Sequence, residues 1–147
     1  MKTLTALVVA GCALLALAAT GAHPAGAAEA NPARDAILSA LATEAKAADP
    51  AFAGFSAARG ETLFTTKFAS GKPETPSCSS CHSPDPTKAG QTRAGKEIEP
   101  MAVSVTPNRF TDPEKVAKWF GRNCGGVLDR PCTAVEKGDF LTFMISR

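Results

Sequence analysis

Cys78-Ser79-Ser80-Cys81-His82 is the stretch that decides how this chain reads. Two cysteines three residues apart lie on one side of a helical turn, and a histidine follows at once. The C-x-x-C-H spacing is that of covalent haem attachment. Each thiol can add to one vinyl group of the porphyrin, giving two thioethers, and the His82 imidazole then points under the iron. Ser79 and Ser80 are small enough to let the flat ring lie close to the backbone. Two other uses of such a pair compete. It could be half of a zinc site completed by Cys124 and Cys132, or a thioredoxin-like redox pair. The zinc reading needs reduced thiols, and the redox reading needs a βαβ context that the sequence lacks.

The compartment bears on that choice. The chain has 147 residues and opens with Lys2, an apolar run from Leu4 to Ala19, and small residues ending in Ala25-Gly26-Ala27. A basic start, a short apolar core and an A-x-A site make a secretory signal peptide. The expected organisation is therefore a signal peptide over 1–27, an N-terminal extension with a weak helix over 28–51, and a domain over 52–147. The apolar run is too short and alanine-rich for a membrane span, so a soluble periplasmic protein is expected. Val9-Ala10-Gly11-Cys12 resembles a lipoprotein box, but the apolar run continues past Cys12 through Leu17. Removing 27 residues leaves 120, takes Lys2 and His23 away, and sets 15 basic residues against 14 acidic ones. That balance offers no concentrated basic patch for nucleic acid. Four cysteines remain, all in an oxidising compartment.

Working outward from the motif, helices are expected on both sides. Asn31 to Ala48 places Ile37, Leu38 and Leu41 on one face of a weak amphipathic helix ended by Asp49-Pro50. Ser56 to Phe68 reads as a second helix with Gly60 and Phe64 one turn apart. Gly71, Pro73 and Pro76 then break the chain. Ser83 to Thr111 carries Pro84, Pro86, Pro100 and Pro107 and reads as a long structureless segment, of the kind that wraps something. Asp112 caps the next helix with Pro113 at its first position; Val116, Trp119 and Phe120 make its apolar face, and Gly121 is expected to stop it. Thr133 and Glu136 form a capping box for a last helix whose buried stripe is Phe140, Phe143 and Met144. No strand pattern appears, so the fold class is all-α.

His82 is the only histidine left after export, which excludes a bis-histidine haem within one chain. For the sixth ligand, Met144 lies in a core stripe and Lys118 and Lys137 read as solvated. Met101, a polar side chain and an empty position remain open from the residues alone.

The sequence resembles the class I cytochromes c. Gly60 and Phe64 match that family's N-terminal helix, which crosses the C-terminal helix at the glycine. Pro100-Met101 looks like its Pro-Leu segment, whose proline carbonyl accepts a hydrogen bond from the proximal histidine; Met101 then falls on the proximal side. The distal methionine of that family comes from the loop before the last helix. Here that stretch, Gly121 to Cys132, holds none. From Ala58 to the C-terminus the chain is similar to the sphaeroides haem proteins, atypical class I cytochromes c. The telling segments are Gly71-Lys72-Pro73, Ala89-Gly90-Gln91-Thr92-Arg93, Gly95-Lys96-Glu97-Ile98, Arg109-Phe110-Thr111-Asp112 and Gly121-Arg122-Asn123-Cys124. The resemblance implies a class I cytochrome c fold, Asn123 as sixth iron ligand and a Cys124–Cys132 disulfide beside it. It also implies a high-spin haem c whose asparagine leaves on reduction so that oxygen or nitric oxide binds, and a dihaem cytochrome c as redox partner. Spacing alone would make Asn123 a helix C-cap. Closing the nine-residue loop would contribute about 2.5 kcal/mol in the chain-entropy picture.

The function expected is that of a periplasmic monohaem cytochrome that carries electrons and binds a diatomic gas. A plain electron shuttle and a small oxygen or nitrogen-oxide reductase are the alternatives. A reductase needs proton donors at the open haem face, where no histidine is available and Arg122 is the only nearby charged side chain.

Overall fold

The structure is a computed structural model and describes residues 30–147. The expected signal peptide, with its cleavage point after Ala27, Cys12 and His23, lies outside the described residues. The elements are α1 (Pro32–Ala48), α2 (Ala57–Thr65), α3 (Ser79–His82), β1 (Gly90–Gln91), β2 (Glu97–Ile98), α4 (Pro113–Leu128) and α5 (Ala134–Ile145). The all-α architecture is as expected, apart from the small β1–β2 ladder, in which Gly90 pairs with Ile98 and Gln91 with Glu97.

Local signals start the helices. Asn31 accepts from the amides of Ala33 and Arg34, Ser56 from Arg59 and Asp112 from Lys115. Thr133 and Glu136 close a capping box at the head of α5. These side chains satisfy amides that a helix start leaves without partners.

The core forms where α2 crosses α5. Gly60 lies so close to α5 that an added Cβ would come 2.0 Å from the Asp139 carbonyl oxygen and 2.8 Å from Phe143 Cβ. Phe64 is fully buried one turn on, with its ring 6.0 Å from Phe140 and 5.7 Å from Phe143. The buried Asp139 carboxylate ties the head of α2 to α5. It accepts from the Ser56 amide at 2.7 Å and from Arg59 at 2.7 and 2.8 Å. Gly60→Ala is expected to force the two helices apart. The cost should be about 3 kcal/mol, the upper end for an overpacked site, seen as a melting temperature about 10 °C lower in the holoprotein. Wild-type melting would show that the crossing has slack.

Three expectations about elements need correction. Helix α4 does not stop at Gly121 but runs on to Leu128, where Asp129 caps it in the left-handed region at φ 56°. Glycine inside a helix costs about 1 kcal/mol. Burial of Cys124, Val127 and Leu128 offsets that, and the carbonyl of Gly126 accepts from the Lys72 amide at 2.9 Å. The longer helix turns a different face inward. Its inner stripe is Val116, Phe120, Cys124 and Val127, while Trp119 is 47% exposed with the Arg122 guanidinium 5.6 Å from its ring centre. Helix α2 also ends early, at Thr65 rather than Phe68.

The segment from Ser83 to Thr111 is better ordered than expected. The amides of Met101 and Ala102 both donate to the Pro86 carbonyl, and Val103 and Ser104 donate to the carbonyls of Met144 and Arg147. Met101, Ala102 and Val103 are buried in consequence. The N-terminal extension is docked as well, with α1 lying on α5 and burying Ile37 in the main cluster.

Candidate functional site

The motif forms one short turn, α3. The amides of Cys81 and His82 both donate to the Cys78 carbonyl, at 3.3 and 3.1 Å. Buried Ser77 braces the turn, its hydroxyl 2.9 Å from Ser79 Oγ and 2.8 Å from Ser80 Oγ. From the other side Gly90 presses on the same backbone, where a Cβ would come 2.1 Å from the Cys81 oxygen and 2.8 Å from His82 Cα. The sequence reading valued the two serines as small spacers. Their hydroxyl network with Ser77 needed the fold to be seen.

Cys78 and Cys81 are both free and partly buried. Burial pushes the Cys78 thiol up to about 11. The described elements around the pair form no βαβ unit, so the thioredoxin-like use does not fit. The zinc use does not fit either. Cys124 and Cys132 are joined to each other, with Cα atoms 5.6 Å apart. Among the described residues no cluster of three or more His, Cys, Asp or Glu could hold a metal ion.

The His82 ring is partly buried. Burial first, and the Arg109 charge second, push its pKa down, the direction that favours the neutral imidazole an iron ligand needs. Its Nδ1 is enclosed and has no hydrogen-bond partner, the one such side-chain atom among the described residues. The resemblance to class I cytochromes implied that Pro100 supplies the acceptor. In the structure the Pro100 carbonyl is already taken, by Thr106 Oγ1 at 3.0 Å and Arg109 Nε at 3.1 Å. Arg109 was missed as a site residue because 27 positions separate it from His82, beyond the reach of local spacing.

These features fit a haem. Two unpaired thiols and a histidine share one turn. Leu63, Phe68, Phe110 and Phe120 remain only partly buried around the two core clusters, as apolar walls do when a flat apolar group completes them. A hollow of about 690 Å³ opens beside the same turn, lined by Ser79, Ser80 and Cys81 together with Glu74, Arg93 and Glu97.

Asn123 lies in α4 with its side chain exposed, six residues before the cap at Asp129. It therefore does not cap that helix. Cys124 follows it, and the bond to Cys132 links the last turns of α4 to the residue before the Thr133 cap of α5. Met101 and Met144, the other candidate iron ligands, belong to the main apolar cluster and are 7% and 0% exposed.

Residues 50–144 match the family described as a domain of unknown function, DUF1924. The chain is 47% identical over 133 residues to the cytochrome c-type protein SHP of Cereibacter sphaeroides, covering 90% of this chain and 97% of that one. The chain belongs to the SHP family of c-type cytochromes. Its cofactor is haem c, and its fold is that of a class I cytochrome c. Cytochrome c'' of Methylophilus methylotrophus is 33% identical over 103 residues, 69% of this chain and 72% of that one. Among solved structures, oxidised SHP, titled an oxygen-binding cytochrome c, superposes with a TM-score of 0.71 at 45% identity, over 78% of this chain and 96% of that one. Oxidised cytochrome c'' gives 0.69 at 30% identity, over 78% and 94%. No described helix of the SHP-family chain is long and apolar enough to cross a membrane.

Proposed function

We propose that the protein is a periplasmic monohaem cytochrome that passes single electrons and binds oxygen or nitric oxide when reduced. In this reading Cys78 and Cys81 hold the haem by two thioethers, His82 is the proximal iron ligand and Asn123 the distal one. The Cys124–Cys132 bond fixes the helix that carries Asn123. Haem supplies an iron that changes by one electron and offers one coordination position to a diatomic gas.

One observation carries the gas-binding part. Both methionines among the described residues are locked in the core, so no soft thioether is free to hold ferrous iron. An amide oxygen is a hard, weak ligand that suits the more highly charged ferric ion and yields when that charge falls. The Asn123 side chain is exposed on α4 and can leave by rotating about its own bonds. Export rests on the signal sequence, and a dihaem cytochrome c as electron partner rests on the resemblance to SHP.

Optical spectra of the oxidised, reduced and carbon monoxide-treated reduced protein test this. The expected result is a high-spin ferrous spectrum that shifts on adding carbon monoxide. A sharp low-spin ferrous spectrum unmoved by the gas would leave only an electron shuttle.

A further inference from the structure

Helix α4 carries an exposed strip that the core does not use. Trp119 and Asn123 both lie on it. Residues at this spacing have Cβ atoms about 5–6 Å apart, and they stand only about 40° apart around the helix axis. Helical side chains lean toward the helix start, so the Asn123 side chain leans over the turn that carries Trp119. Around the axis the order is Phe120, Asn123, Trp119, Arg122. Phe120 is half-buried, with its ring edge-on to Phe140 at 5.5 Å, and marks the inward side of the strip. Arg122 marks the outward side. Its guanidinium stands 5.6 Å from the centre of the Trp119 ring, within cation–π range, and steadies the indole from the side away from Phe120. Trp119 and Val105 are the large apolar side chains that stand exposed among the described residues.

We propose that Trp119 walls the gas-binding position and is a specificity-determining residue, admitting diatomic gases and turning away larger ligands. The proposal rests on the reading of Asn123 as distal iron ligand. An indole is long enough to bridge one turn of helix, so the atom that the Asn123 amide touches lies within reach of the Trp119 ring. When the amide leaves on reduction, the ligand that replaces it meets the same ring. A diatomic gas extends only two atoms from the iron and fits beside the indole. An alkyl isocyanide binds through its terminal carbon but trails a chain, which has to push the ring off Arg122. Phe120 cannot yield on the other side, because its ring is packed against Phe140. A tryptophan kept on the surface for a protein partner would instead leave its indole solvated in the isolated holoprotein.

Nuclear magnetic resonance of the reduced, carbon monoxide-bound holoprotein, which is diamagnetic, tests the placement without any substitution. The chain has one tryptophan, so its indole N–H signal is identified by composition. The expected result is displacement of the indole signals by the porphyrin ring current, with cross-relaxation to porphyrin protons. An indole at the shift of a solvated tryptophan, with no porphyrin contact, overturns the proposal and leaves Trp119 on the open surface.

Selectivity is read by titrating the reduced protein with carbon monoxide and with n-butyl isocyanide. Trp119→Ala should raise isocyanide affinity relative to carbon monoxide about tenfold, the discrimination that one apolar contact supplies. Trp119→Phe should move the ratio the same way by less, and it decides the matter if Trp119→Ala does not fold. A wild-type ratio in the folded variant overturns the proposal. Failure of the underlying reading looks different, because Asn123→Ala would then leave the ferric spectrum as in the wild type.

Discussion

The Cys78→Ala, Cys81→Ala double variant is expected to lose its haem entirely on acid-acetone extraction, whereas the wild-type chain keeps one haem mass. Noncovalent haem is drawn off by that solvent and a thioether is not. Either single variant should retain its haem through the remaining thioether, and replacing both Cys124 and Cys132 by serine should leave haem retention unchanged. The loss should extend to the fold. Leu63, Phe68, Phe110 and Phe120 stand only partly buried around the two core clusters. If haem covers a further 300 Å² or so of apolar surface, that alone is worth about 7.5 kcal/mol, comparable with the whole stability of a domain. The double variant should therefore lose most of its helical circular dichroism. Haem extracted from the wild-type chain, or zinc found in its place, would mean that the motif has been misread.

How much of this site could be read from the chain depends on how local each part is. The haem motif lies within five consecutive residues, so spacing was enough to single it out. The helix starts at Asn31, Asp112 and Thr133 were legible for the same reason, because a cap and the amides that donate to it sit within three residues of each other. The end of α4 was not. Gly121 is a stop signal by local preference, and what overrides it is distant: the Lys72 amide on the Gly126 carbonyl and the tie to Cys132. Mistaking that end also misplaced Trp119, because the inward face of a helix is set by its whole length.

The proximal side shows the same limit more sharply. Resemblance pointed to the Pro100 carbonyl as an acceptor, but which donors occupy it depends on Thr106 and Arg109 meeting there. Arg34 lies three residues before Ile37, on the same helix face. Nothing in its neighbours says that its guanidinium will bond carbonyls 73 and 75 positions away. Contacts of that range exist only once α1 has docked on α5.

Asn123 governs the second large effect, on the ferric iron. Asn123→Ala should change the ferric spectrum to that of iron with water or no sixth ligand, while the reduced spectrum stays as in the wild type, because the amide has already left in that state. Asn123→His should do the reverse. An imidazole is a good ligand for both oxidation states, so reduction would no longer open the position, and carbon monoxide would have to compete with the side chain. Apparent gas affinity falls by the fraction of molecules whose position is open. An imidazole bound about 99% of the time therefore lowers it about a hundredfold. The position of Asn123 favours this outcome. It lies within α4, beside the buried Cys124 and its bond to Cys132, so the backbone offers little travel and the switch must lie in the side chain. If instead Met101→Ala alters the ferric spectrum and Asn123→Ala does not, the ligand is the methionine. In that case Met101, 7% exposed in the apolar cluster, would have to leave the core to reach the iron. Carbon monoxide titration of the reduced Asn123→His protein against the wild type measures the difference directly.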